Sequence, residues 1–179
     1  KDIDLLIFDL QDVGVRYYTY LSTLHYVMEA AAEQHIPLLV LDRPNPNGFY
    51  VDGPVLDTAY KSFVGMQPIP MVYGMTMGEY AKMLIGEKWA KASATATSLP
   101  NITIIKNKNY THKSKYVLPV KPSPNLGTMS SVYWYGSNCL FEGTVLSEGR
   151  GTDFPFAIFG HPSLPKTLYT FTPTSRDGA

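Results

Sequence analysis

Short apolar runs at 4–10, 38–41 and 138–143 each end in a cluster of acids, amides or arginines. Runs of this length, bounded by polar residues, predict strands covered on both faces in a parallel sheet. Between the first two, Tyr17, Leu21, Leu24, Met28 and Ala31 recur at steps of three and four and predict a helix over 17–34. Strand, helix and strand in that order make a βαβ unit, for which a right-handed crossover is the rule. Further on, Thr76-Met-Gly-Glu79 has capping-box spacing and opens a helix to about Gly86, with Tyr80, Met83 and Leu84 facing inward. Glu79 therefore reads as a cap. Ile102–Ile105 predicts another strand, and a short helix is expected from Thr128 to about Tyr135, directly before the third acid-bearing strand.

The segments between are equally informative. Two prolines within Arg43-Pro-Asn-Pro-Asn-Gly48 remove backbone donors and bias their predecessors away from helix, so a long loop runs from there to about Tyr73. Loops of that length more often wall a site than merely connect elements. Pro122-Ser-Pro-Asn-Leu-Gly127 is a second proline-fixed loop, and the Ala, Ser and Thr of 91–98 predict a surface loop. The first strand begins almost at the first residue, and 170–179 stops in turn chemistry, so the chain is expected to be a fragment of a longer protein.

Composition narrows the classes of function. A chain of 179 residues that is 45% hydrophobic can bury an ordinary core, and no window approaches a membrane span. Lys+Arg and Asp+Glu are both 15, so there is no global field to draw nucleic acid, and the lysine-rich 107–121 reads as a solvated face. The lone Cys139 excludes an internal disulfide and reads as a small core residue; the four histidines are scattered, which argues against zinc. No start-of-chain leader with a small-residue cleavage site is visible.

Polar residues at the carboxyl ends of parallel strands converge on the crevice where ligands bind. The first turn, Asp9-Leu-Gln-Asp-Val-Gly-Val-Arg16, lacks the glycine-rich phosphate cradle of a dinucleotide fold, and its two carboxylates would repel a phosphate, so NAD and P-loop nucleotides are disfavoured. A haloacid-dehalogenase-like phosphatase begins similarly but needs a second acid where this chain has Gln11. Asp9 and Asp12 either hydrogen-bond loop amides or pair with Arg16, or else they meet a substrate. On the helix, Tyr18, Ser22, His25 and Glu29 form a polar row along the apolar stripe. For His25 the plainer reading is a satisfied histidine on the helix flank, and for Glu29 a solvated acid. Asp42, Arg43, Asn45 and Asn47 offer a charged fork and two amides suited to a carboxylate and hydroxyls, while Glu142, Glu148 and Arg150 are interleaved with glycines that admit a ligand closely. No Gly-x-Ser-x-Gly elbow is present. A pocket rich in carboxylates, amides, tyrosines and arginine has the composition of a carbohydrate site with paired acids.

Taken together, Phe8-Asp-Leu-Gln-Asp-Val-Gly-Val-Arg-Tyr-Tyr-Thr-Tyr20, Leu41-Asp-Arg-Pro-Asn-Pro-Asn-Gly48, Gly74-Met-Thr-Met-Gly-Glu79, Pro122-Ser-Pro-Asn-Leu126 and Leu140-Phe-Glu-Gly-Thr-Val-Leu-Ser-Glu-Gly-Arg-Gly-Thr152 resemble one family, the NamZ-type exo-β-N-acetylmuramidases, formerly a domain-of-unknown-function group. The resemblance implies an α/β fold: a Rossmann-like parallel sheet flanked by helices over 1–155, with a smaller C-terminal domain beginning at 156–179. It implies an exported glycosidase, without a cofactor, that removes terminal N-acetylmuramic acid from the non-reducing end of peptidoglycan fragments, with a muropeptide or disaccharide as partner. The family also carries an upstream Pro-Glu-His-Gly motif with one proposed catalytic glutamate, absent here, so this chain alone is expected to be inactive. The second proposed glutamate maps onto Glu29. Where many members have His before Gly-Met-Thr, this chain has Tyr73. Glu29 and Asp12 are thus the candidate catalytic groups, and Asp9, Gln11, Arg16, Tyr18, Asp42, Arg43, Asn45, Asn47, Glu142, Glu148 and Arg150 the candidate substrate-binding ones. A non-catalytic muropeptide-binding module and a metal-dependent phosphatase using Asp9 and Asp12 are the alternatives.

Overall fold

The computed structural model describes residues 3–90 and 101–178. The chain divides into two compact units, Lys1–Tyr116 and Val117–Ala179. The surface loop expected at 91–98 lies outside the described residues.

The first unit is built on a parallel sheet of β1 (Leu6–Phe8), β2 (Leu38–Leu41) and β3 (Ile102–Ile105), in that order. Register pairs Leu6 with Leu38, Phe8 with Val40 and Leu41 with Ile105. Two helices, α1 (Tyr20–Gln34) and α2 (Met77–Gly86), flank it. Phe8, Leu38 and Val40 form one core with Leu21, Leu24, Met28 and Ala31 of α1 and Tyr80, Ala81 and Leu84 of α2. The helical stripe and the strand positions read from periodicity are therefore the ones that are buried. The expectation of cover on both faces fails for β1: Ile7 is 58% exposed, because the described helices pack on the Phe8 face.

Helix α1 starts later than periodicity suggests. Arg16–Tyr18 form a short 3-10 turn, and Thr19, at φ 76°, swings the chain before the helix begins. A β-branched residue in the left-handed region is strained, by roughly 1–3 kcal/mol. Arg16 compensates by anchoring this turn, donating to the carbonyls of Pro54 and Ile69. At the other end His35, at φ 55°, closes α1, and Ile36 donates back to the Ala31 carbonyl at 2.9 Å.

Helix α2 opens with the capping box. The Thr76 hydroxyl accepts from the Glu79 amide at 3.2 Å and the Glu79 carboxylate accepts from the Thr76 amide at 2.9 Å. The same Thr76 hydroxyl donates to Asp42, so one side chain ties the helix start to the end of β2.

In the second unit α3 (Met129–Asn138) is capped by Thr128, whose hydroxyl accepts from the Ser131 amide at 3.1 Å. The strand expected at 138–143 is absent. α3 tightens into a 3-10 helix, Cys139–Gly143, in which Leu140 is 55% exposed. An apolar run as short as Cys-Leu-Phe suits either state, and here the preceding helix carries through. Cys139 is half-buried rather than in the core, with its thiol against Glu142. Leu126, Val132, Tyr135 and Phe156 are the buried apolar residues of this unit, with Tyr135 and Phe156 edge-to-face at 4.9 Å.

Replacing Thr76 by Ala removes both a cap acceptor and the donor to Asp42, and should cost about 1–2 kcal/mol. A denaturation midpoint equal to that of the parent chain would show that the cap does not hold α2.

Candidate functional site

The carboxyl ends of β1 and β2 do carry their polar knots side by side, as Arg43 Nε meets Asp9 at 2.5 Å. Behind that exposed pair the amides turn inward. Gln11 donates to the carbonyls of Asp12 and Pro44 at 2.8 and 2.9 Å, and Asn47 donates to the Val13 carbonyl at 2.9 Å. Asn45 accepts from the Asn47 amide and donates to the Met75 carbonyl, both at 2.8 Å. The β1 loop must pass so close to Asn45 that a Cβ on Gly14, at φ 80°, would stand 2.1 Å from its side-chain oxygen. These amides hold three loops together by bonding to their backbone.

Asp12 is buried in the same knot. Its Oδ1 accepts from the Gly14 amide at 2.7 Å and from the Tyr73 hydroxyl, while Oδ2 has no hydrogen-bond partner. Burial pushes the carboxyl up to about 6, with the bonds from Tyr73 and the loop amides opposing. Burial and the neighbouring Asp12 push the Tyr73 phenol well above its ordinary value. Asp12 thus caps loop amides, as one reading of the sequence had it, but Arg16 does not pair with it.

Asp42 turns toward α2, accepting from the Thr76 hydroxyl at 2.7 Å and the Gly78 amide at 2.8 Å. That places a carboxylate on the positive end of the helix and uses both its oxygens. Next to it Glu79 reaches His112 at 3.0 Å, and His112 also meets the Gly48 carbonyl at 2.9 Å. Neither acceptor has a proton to give, an arrangement that favours the doubly protonated form of His112. Accordingly its titration is raised by Glu79 and Gly48, while Glu79, for which burial acts upward, is lowered on balance by the Thr76 amide and His112. The pair lines two hollows. One, of about 180 Å³, is bounded by Asp42, Lys82, Lys106 and Tyr110 among others. The second is an open groove of about 470 Å³, lined by Gly48, Phe49, Tyr50, Val51, Tyr73, Gly74 and Met75.

The polar row on α1 is only partly as expected. Tyr18 stands on the 3-10 turn, edge-on to Tyr20 at 5.0 Å. Ser22 donates to the Phe63 carbonyl at 2.6 Å, and His25 bridges Glu29 at 3.0 Å and Gln67 at 3.1 Å. His25 is thus a satisfied flank histidine. Glu29 lines neither hollow.

In the second unit Arg150 gathers both nearby acids: it pairs with Glu142, meets Glu148 at 2.9 Å, and donates to the Gly178 carbonyl at 3.0 Å. Its guanidinium lies 5.0 Å over the Phe156 ring. Glu142 reaches this cluster from a 3-10 helix and not, as expected, from the end of a strand. Among the described residues no group of His, Cys, Asp and Glu could hold a metal ion.

Phe49, Tyr50, Gln67 and His112 were not singled out by the sequence as site residues, and Tyr73 only as the residue standing where many family members have His. The length of the loop through 43–73 was the one available signal for the first three; His112 was hidden in a lysine-rich stretch.

The comparisons with known proteins agree with this α/β architecture. The chain matches the family model described as exo-beta-N-acetylmuramidase NamZ, N-terminal, over residues 1–130, and its C-terminal counterpart over 133–175. The chain belongs to the NamZ family. It is 45% identical over 172 residues to the peptidoglycan beta-N-acetylmuramidase NamZ of Bacillus subtilis strain 168, matching 93% of this chain and 40% of that protein. Among solved structures it resembles two proteins of Bacteroides fragilis NCTC 9343 described as DUF1343 family proteins. The first has a TM-score of 0.92 and 53% identity, covering 98% of this chain and 49% of the other; the second has 0.82 and 35%, covering 93% and 44%. The chain therefore spans less than half the length of these relatives.

Because Asp12 is raised from 3.8 to about 6, it favours the folded state below about pH 4 and loses that contribution as pH rises through 6. The loss is on the order of 3 kcal/mol by pH 8. Denaturation midpoints measured from pH 4 to 8 should diverge in favour of Asp12→Asn as pH rises; parallel curves would refute the buried, raised carboxyl.

Proposed function

We propose that the protein bearing this chain is a glycoside hydrolase that releases terminal N-acetylmuramic acid from the non-reducing end of peptidoglycan fragments. Support comes from the family and from one observation above others: the open groove of about 470 Å³ walled by Phe49, Tyr50 and Tyr73, with Glu79 and His112 on its rim. Its size suits a sugar, aromatic rings can receive the apolar face of a pyranose, and the ionised pair offers partners to its hydroxyls.

Hydrolysis needs one carboxyl to protonate the leaving oxygen and another to act as nucleophile or as base on water. The family resemblance makes Glu29 our candidate for one of these within this chain, although it stands outside the groove. Asp12, buried behind Tyr73, would influence the sugar through that phenol. Arg43, exposed beyond β2 and paired with Asp9, is suited to the lactyl carboxylate, as an arginine fork matches a carboxylate. Peptidoglycan lies outside the cytoplasmic membrane, so the same reading places the enzyme there; recovery solely from the cytosol on cell fractionation would contradict that placement.

In the full-length protein Glu29→Gln should lower kcat for muramic acid release by about 10²–10⁴-fold. Turnover equal to the parent enzyme would remove Glu29 from the mechanism.

A further inference from the structure

The loop at 61–67 lies on α1 where Glu29 projects. Ser62 and Gly65 close a turn through paired 3.0 Å backbone bonds, and the Ser22 hydroxyl holds the Phe63 carbonyl at 2.6 Å. Phe63 stacks on Tyr26 with centroids 5.9 Å apart and planes 11° apart. This fixture delivers Gln67, buried in spite of its polarity, to Nδ1 of His25 at 3.1 Å. On the other side of the ring, Nε2 stands 3.0 Å from Glu29.

The direction of this line follows from its end. An ionised carboxylate can only accept, so Nε2 carries the proton given to Glu29, and in the neutral ring Nδ1 must then accept. The Gln67 amide nitrogen supplies that donor. The His25 side chain is 3% exposed and that of Glu29 27%, so an amide and an imidazole locked in the interior orient a carboxylate that reaches solvent. A buried glutamine and histidine could have been replaced by apolar packing; as paired groups they fix one tautomer and one rotamer.

We infer that Gln67 and His25 are positioning residues for Glu29, the amide setting the imidazole tautomer and the imidazole setting the carboxylate; this rests on the assignment of Glu29 to the glycosidase reaction. Orientation by a third group is how acid–base pairs are commonly held in register.

Two measurements test it. Nitrogen-15 NMR of the His25 ring should place the proton on Nε2 in the parent chain and show mixed tautomers in Gln67→Leu. In the full-length enzyme Gln67→Leu should lower kcat about 3–10-fold, the worth of one hydrogen bond, with KM unchanged. Gln67→Glu, which keeps the volume but accepts from Nδ1, should place a proton on both ring nitrogens. A proton on Nδ1 in the parent, or tautomers indifferent to Gln67, overturns the inference, as does an altered tautomer with unchanged kcat. Full turnover in Glu29→Gln instead defeats the functional assignment, and the NMR result then stands or falls by itself.

Discussion

Buried backbone groups beyond the ends of a short sheet have no ladder partner, and leaving one unpaired costs about 1–3 kcal/mol. At the carboxyl edge of β1 and β2 this chain meets that requirement with side-chain amides. Gln11, Asn45 and Asn47 each bind a carbonyl of a different stretch of chain, and Asp12 and Asp42 receive the amides of Gly14 and Gly78. Proline rings at 44 and 46 stiffen the connection, so the lacing restrains a backbone that has few other conformations. The groove walled by Gly48, Phe49, Tyr50 and Tyr73 exists because these bonds hold the loops apart at fixed spacing.

That requirement also explains which parts of the molecule could be read from sequence. β2 and β3 have the predicted bounds, and the α2 capping box is formed, since apolar period and cap chemistry are local properties. The run at 138–143 became 3-10 helix because its three apolar residues carry no period and its neighbours decide its state. At the sheet edge, the polar residue types were legible but not their direction. An asparagine in a proline-bound loop can face a ligand or a carbonyl, and only the fold decides; Asn45 and Asn47 chose carbonyls. Gln67 and Tyr73 left no periodic trace at all, being single polar groups in an irregular loop.

The carboxylates divide by environment. Glu79 accepts from an amide and a histidine and is stabilised as the anion, whereas Asp12 gains two bonds yet is raised because burial outweighs them. Asp12 thus changes its charge just below neutrality, whereas Glu79 holds its charge there and has no proton to give. Glu29 differs from both: it is bonded to the buried His25 while its own side chain is 27% exposed, so its orientation is set from the interior.

Charge also separates the two arginines considered for an anionic substrate group. Arg43 is balanced by Asp9 alone, so an incoming carboxylate meets a neutral pair in high dielectric and displaces at most one exposed partner. Arg150 is already outnumbered by Glu142 and Glu148, and Glu148 is buried, so drawing the guanidinium away would strand a desolvated charge. A net negative cluster repels an anionic group before any contact is made. Arg150 therefore reads as the brace of the second unit, holding two acids, the Gly178 carbonyl and the Phe156 ring, and Arg43 as the arginine with chemistry left to offer a ligand.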